Sequence, residues 1–177
     1  MSERTGKVQS VLGLIDPPKL GMTSMHEHVL IDLRCYFGMP EEATERWYID
    51  APLTIDIRGN IGKRWWYNTD GMLLLDESTQ RKELHNWYLA GGGSVVDATS
   101  VGIARDPLAL ARISRATGIN IVMGASHYVP ATYTPELIAR SQDEITESIV
   151  RDVTLGVGDT GIKAGIIGEV GNFWPTN

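Results

Sequence analysis

Residues 91–125 read GGGSVVDATSVGIARDPLALARISRATGINIVMGA, and the order of elements within them decides the fold class. Residues 94–99 are a short apolar run after three glycines, a buried strand by length and composition. Asp106-Pro107 opens a helix, with Asp as N-cap and Pro at the first helical position, and Gly118 closes it. Residues 119–125 are a second apolar strand of matching length. Two buried strands joined by a helix make a parallel βαβ unit with a right-handed crossover.

The same alternation continues outward. Residues 76–90 read as a helix: Asp76 and Glu77 suit its positive end, and Leu84, Trp87 and Tyr88 share a face. His85, mid-helix, reads as a surface or core-edge residue. Residues 21–31 read as a strand bounded by Pro17, Pro18 and Gly21. Residues 33–71 are irregular and hold Trp47, Trp65 and Trp66; connections this long carry function or hide an element. Leu53, Ile55 and Ile57 alternate with Thr54, Asp56 and Arg58, which predicts a short strand there. Downstream, Thr134-Pro135-Glu136 repeats the helix-start chemistry. Ser141 with Glu144 predicts a capping box, and Ile145, Ile149 and Val153 form a helical stripe. Residues 163–169 read as a fourth strand. The class is α/β with about four parallel strands, either a small doubly wound sheet or part of a (β/α)8 barrel. A whole barrel needs about 250 residues, and this chain has 177.

That length fits one domain, or one piece of a larger one. A compact protein of this size exposes roughly 8,500 Å². Hydrophobic residues at 42% and charged residues at 21% exclude a disordered chain. No apolar run of about 18 residues is present, so no membrane span is expected. The start lacks a signal-peptide core, so a cytoplasmic location is expected. Net charge −6, from 16 basic and 22 acidic residues, argues against a nucleic-acid partner. Lys63 and Arg64 beside Trp65, Trp66 and Tyr67 read as packing of the long segment or an interface. The single cysteine, Cys35, reads as a small buried hydrophobe.

His26 and His28 flank Glu27. On a strand both imidazoles point to one side and Glu27 to the other, so the pair can converge on a divalent cation such as zinc. By spacing alone, two polar residues on a half-exposed strand are the stronger reading. The apolar flanks predict a buried strand, where unpaired imidazoles are costly, and tip the balance to ligands. Glu169 closes the fourth strand, at the end where α/β folds place their sites. Alone it reads equally as a loop acid; with the histidines it reads as a carboxylate that ligates or bridges metal. Asp97, inside a strand, reads equally as a partner orienting a ligand histidine or as a structural acid held by loop amides. Arg105 and Asp106 follow the same strand, Asp106 being accounted for by its cap. His127 and Tyr128, beyond the third strand, are candidates for a substrate pocket or plain loop residues.

The ordered motifs LGMTSMHEH, AGGGSVVDAT, GIARDP, TGINIV and GIKAGIIGE make the chain resemble the phosphotriesterase family of the amidohydrolase superfamily over nearly its whole length. The resemblance implies the first half of a (β/α)8 barrel, residues 1–177 as one partial domain, preceded by a β-hairpin-like extension. It assigns His26 and His28 to the more buried of two divalent metals, with zinc expected. Many members bridge the metals with a carboxylated lysine; Gly168 stands there in this chain. Glu169, one residue later, matches the glutamate of a phosphotriesterase-related branch, which weakens a phosphotriester substrate. Tyr128 falls at an aromatic pocket position. Further histidines from strands five and six and an aspartate from strand eight have no counterpart before Asn177, and His85 and His127 do not stand in for them. The acid/base residue is therefore unassigned. The implied chemistry is hydrolysis of a small-molecule ester, lactone, amide or phosphoester by a metal-activated hydroxide. The rival expectation is an inactive half-barrel that forms a homodimer or pairs with a complementing C-terminal half.

Overall fold

Ser10 sets the first turn: its hydroxyl accepts from Leu12 N–H at 3.2 Å and donates to Gly13 O at 2.9 Å. The turn joins β1 (Val8–Ser10) to β2 (Gly13–Ile15) as an antiparallel hairpin, the expected N-terminal extension. The structure, a computed structural model, describes residues 3–172. Next come β3 (Met22–Glu27), β4 (Ile31–Asp32), α1 (Ile55–Ile61) and β5 (Leu73–Leu74). They are followed by α2 (Glu77–Leu89), β6 (Gly92–Asp97), α3 (Pro107–Thr117) and β7 (Asn120–Ala125). α4 (Pro135–Ile138), α5 (Gln142–Thr154) and β8 (Ile166–Ile167) complete the chain. Among the described residues no helix is long and apolar enough to cross a membrane.

The main sheet runs β3-β6-β7-β8, all parallel. Strand order follows chain order without the reversal that a doubly wound sheet requires. The sheet is therefore half of a barrel wall rather than an open doubly wound sheet. Helices cover its outer side: Leu110 and Ile113 of α3 bury against Ile121 and Met123 of β7, with Leu84 of α2 and Val95 of β6 in the same core. Ile149 and Val153 of α5 pack on this core, as their spacing predicts. The hairpin seals one end, where Val11 N–H donates to Ile121 O at 2.9 Å.

Local helix chemistry matches the sequence closely. Asp76 accepts from Ser78 and Thr79 N–H, Asp106 from Ala109 N–H and Thr134 from Leu137 N–H. Ser141 and Glu144 form the capping box, and Gly118 takes the left-handed conformation (φ 76°) that ends α3. One clamp was not foreseen. Arg105, with 6% of its side chain exposed, pairs with Asp152 of α5 at 2.8 Å and donates to Gly124 O at 3.2 Å.

Four expectations are corrected. The alternation at 53–57 does not make a strand; Arg58 N–H bonds Thr54 O and α1 forms, because no strand edge is offered to it. Ile55 is 79% exposed, so the alternation marked no buried face. β3 is not buried: it is an edge of the described sheet, with Met22 and Met25 exposed. It ends at Glu27, and Ile31 pairs with Leu74 instead. The fourth strand shrinks to Ile166–Ile167, since the Gly165 and Gly168 amides continue the pairing to Met123 and Ala125 only as irregular backbone. On α2, Leu84 is buried and Trp87 half-buried, but Tyr88 turns to solvent beside His85.

The chain exposes 10,696 Å², about a quarter more than a compact protein of this length. Apolar side chains exposed on the two sheet edges, Met22 and Met25 on β3 and Ile167 on β8, and on the irregular segment, Met39, Trp47 and Ile55, contribute to that excess.

Replacing Asp152 by Ala strands a buried guanidinium and should cost about 3–5 kcal/mol in urea denaturation. The double variant Arg105→Met with Asp152→Leu should recover most of that loss, because the pair's desolvation cost disappears with it.

Candidate metal centre

The centre is built from the two ends of the main sheet. His26 and His28 sit at the C-terminal end of β3; Glu169 follows β8 at the opposite edge. The sheet curls until they meet. His26 Nε2 lies 2.9 Å from Glu169 Oε2, and His28 Nε2 lies 3.5 Å from Glu169 Oε1. One donor atom from each residue falls within 4.8 Å of the other two. Glu27 accepts from Ser24 Oγ, three residues back, at 2.6 Å, across a register shift that interrupts the alternation of β3.

Gly124 makes the meeting possible. A Cβ there would lie 2.1 Å from Gly168 O. With none, the backbone passes over β7, and Glu169 N–H reaches Ala98 O beyond β6 at 3.0 Å. That crossing carries the carboxylate toward β3.

Behind His28 stands a hydrogen-bonded chain. His28 Nδ1 is 3.1 Å from Thr99 Oγ1, and Thr99 Oγ1 is 3.0 Å from Asp97 Oδ1. Val29 N–H donates to the same Oδ1 at 2.8 Å, while Asp97 Oδ2 has no hydrogen-bond partner. Asp97 is thus connected to His28 through Thr99 and also holds the Val29 amide. Burial pushes the Asp97 carboxyl up to about 7, against the donors that favour its charge. Burial also lowers the His28 pKa, opposed by Glu169.

The structure separates the two pocket candidates. Tyr128 lies close enough to the centre to feel Glu169: its hydroxyl is 3.1 Å from that of Tyr36, and its pKa is raised by burial, by Tyr36 and by Glu169. His127 faces another cleft of about 410 Å³, lined by Tyr133, Leu137, Arg140 and Val170 among others. Burial, Arg140 and Arg105 lower its pKa. His85 is exposed on α2, where it stacks on Tyr88. Cys35 is half-buried, with its thiol pushed up by burial and Asp32, which keeps it protonated. Trp65 and Trp66 pack edge to face within the long segment, Trp65 also against Tyr36.

Sequence reasoning missed Thr99 and Tyr36. The Asp97-x-Thr99 spacing, which puts both side chains on one side of a strand, is a usable signal for the first. Tyr36 lies in the irregular segment, where no periodicity points to it.

Residues 6–177 match the model of the phosphotriesterase family. The chain is 38% identical over 176 residues to N-acetyltaurine hydrolase of Xenopus tropicalis, covering 99% of this chain and 50% of that protein. It superimposes on a resiniferatoxin-binding protein from Rhodobacter sphaeroides with TM-score 0.92 and 35% identity, over 95% of this chain and 47% of that one. A lactonase from Listeria monocytogenes aligns with TM-score 0.64 and 26% identity, over 90% and 46%. The chain thus spans about half the length of the relatives it matches.

The elevated Asp97 pKa has a signed consequence for the metal-free protein. The native state holds a proton on Asp97 between about pH 4 and 7 where the unfolded chain does not, so stability should fall as pH rises through that window. Asp97→Asn should flatten this part of the pH–stability profile, measured by denaturation from pH 4 to 8 with chelator present.

Proposed function

The chain belongs to the phosphotriesterase family, and from that premise we propose that it is the N-terminal half of a zinc-dependent hydrolase. Residues 1–177 would form one partial barrel domain. The observation that carries the reading is the convergence of His26, His28 and Glu169 from opposite sheet edges. Two imidazole nitrogens and a carboxylate are a donor set suited to zinc. What a divalent cation supplies in such a site is Lewis acidity, which lowers the pKa of water and polarises an oxygen under attack.

The residues of this chain have separable tasks. His26 and His28 offer Nε2 atoms, and Glu169 offers a carboxylate with two oxygens turned to different imidazoles, as a ligand or bridge between two ions would. Tyr128, kept protonated, offers a neutral hydroxyl beside the centre, where it can orient a substrate oxygen. A water-attacked acyl group on a small-molecule amide, lactone or ester fits this equipment. The names of the relatives make N-acetyltaurine the first amide to assay and lactones the second. A cytoplasmic location goes with this reading.

A second reading rests on the excess exposed surface: residues 1–177 alone would act as an inactive half-barrel that self-associates or pairs with a complementing half. Light scattering on that fragment decides it, a monodisperse monomer with turnover being the result that sinks it.

The full-length gene product, dialysed and then analysed for metal by mass spectrometry, should retain zinc and hydrolyse an amide or a lactone; absence of both defeats the proposal. His28→Asn or Glu169→Gln should weaken zinc binding at least about 100-fold, more than loss of an outer hydrogen bond does. Gly124→Ala, which alters no donor side chain, should weaken it about tenfold or more by pushing the Gly168 carbonyl aside.

A further inference from the structure

The buried chain His28–Thr99–Asp97 determines where one proton sits. Thr99 is fully buried, and its hydroxyl has one hydrogen to donate. Two polar atoms flank it: His28 Nδ1 at 3.1 Å and Asp97 Oδ1 at 3.0 Å. Oδ1 already receives Val29 N–H at 2.8 Å, and a proton on the carboxyl belongs on Oδ2, the oxygen without a partner. Oδ1 is therefore an acceptor in either state, and the Thr99 hydrogen points to it. The side of Thr99 Oγ1 facing His28 carries only lone pairs, so Nδ1 must bring the hydrogen to that contact.

We propose that Thr99 is a positioning residue that locks His28 as the Nδ1–H tautomer, so that Nε2 presents a bare lone pair to Glu169 and His26. Its purpose rests on the metal-centre reading, but the tautomer is a property of the metal-free protein. The opposite tautomer would place Nε2–H against Glu169 Oε1, 3.5 Å away, and fill the space between them with a hydrogen. The lock leaves a lone pair facing a carboxylate oxygen, an arrangement that repels until a cation lies between. Thr99 thus keeps the ligand ready for a metal instead of letting the site satisfy itself. The device is built from neighbouring strands: Thr99 is two residues beyond Asp97, and the pairing of Glu27 with Asp97 brings His28 alongside.

The test is long-range 1H–15N spectroscopy of the metal-free, full-length protein with 15N-labelled histidine at pH 8, together with zinc affinity by chelator competition. Wild type and Thr99→Ser should show His28 protonated at Nδ1. Thr99→Val should shift the population toward Nε2–H and weaken zinc about 10- to 100-fold, with Thr99→Ser within about threefold of wild type. A wild-type His28 protonated at Nε2 overturns the lock, as does a Thr99→Val protein with unchanged tautomer and unchanged zinc affinity. Should wild type show Nδ1–H yet bind no zinc, the metal-centre reading falls and the lock stands. If Thr99→Val fails to fold, the wild-type spectrum alone decides.

Discussion

A carboxylate held 2.9 and 3.5 Å from two imidazole nitrogens is the constraint on which the other features depend, because its members come from opposite edges of the sheet. Four parallel strands can bring their outer edges together only by curling, and the crossing of residues 168–169 over β7 supplies the last part of the reach. That crossing needs a residue without a side chain at position 124. It also needs β7 held firmly, which the buried Arg105 achieves by tying Gly124 O to Asp152 on α5. The helix layer, the glycine and the centre thus form one mechanical chain.

Electrostatics runs in parallel with that mechanics. His26 lies within hydrogen-bond distance of Glu169, while His28 stands off at 3.5 Å, so in the free chain the carboxylate is held chiefly from the His26 side. Glu169 and His28 are half-buried rather than sealed, and His26 stays in solvent. The sealed component lies one step further back, at Asp97, where the cost of burial appears as a carboxyl titrating near neutrality. Placing the strongly desolvated acid behind Thr99 rather than beside Glu169 keeps it away from the centre while its acceptor oxygen still orients His28 through the threonine hydroxyl.

How much of this was legible in the sequence depends on how far apart the interacting residues are. Caps such as Asp106 with Ala109 and Ser141 with Glu144 act over three residues, and residue chemistry alone predicts them. The sequence of strand and helix follows from runs of ten residues or so, which gave the parallel sheet. The alternation at 53–57 misled because period two describes any extended or amphipathic stretch until a neighbouring strand edge selects it. β3 misled for the converse reason. Its apolar flanks describe what a strand would cover, yet its burial depends on partners on both sides, and the described sheet offers one. Thr99 and Tyr36 escaped notice because their roles arise from contacts across 71 and 92 residues.

The exposed excess of surface bears on how the centre should behave. An edge strand carrying His26 and His28 has its backbone paired on one side only, so its position is set by β6 and by Glu169 from across the sheet. Pairing on the free edge of β3 and cover over the concave face would fix the strand and dry the site, and both raise the strength of every charge–dipole contact within it. The Thr99 lock is independent of that cover, since Thr99 and Asp97 are already buried by the strands and helices described. The orientation of His28 is therefore set by residues of this chain, whereas the dryness of the centre depends on what lies against it.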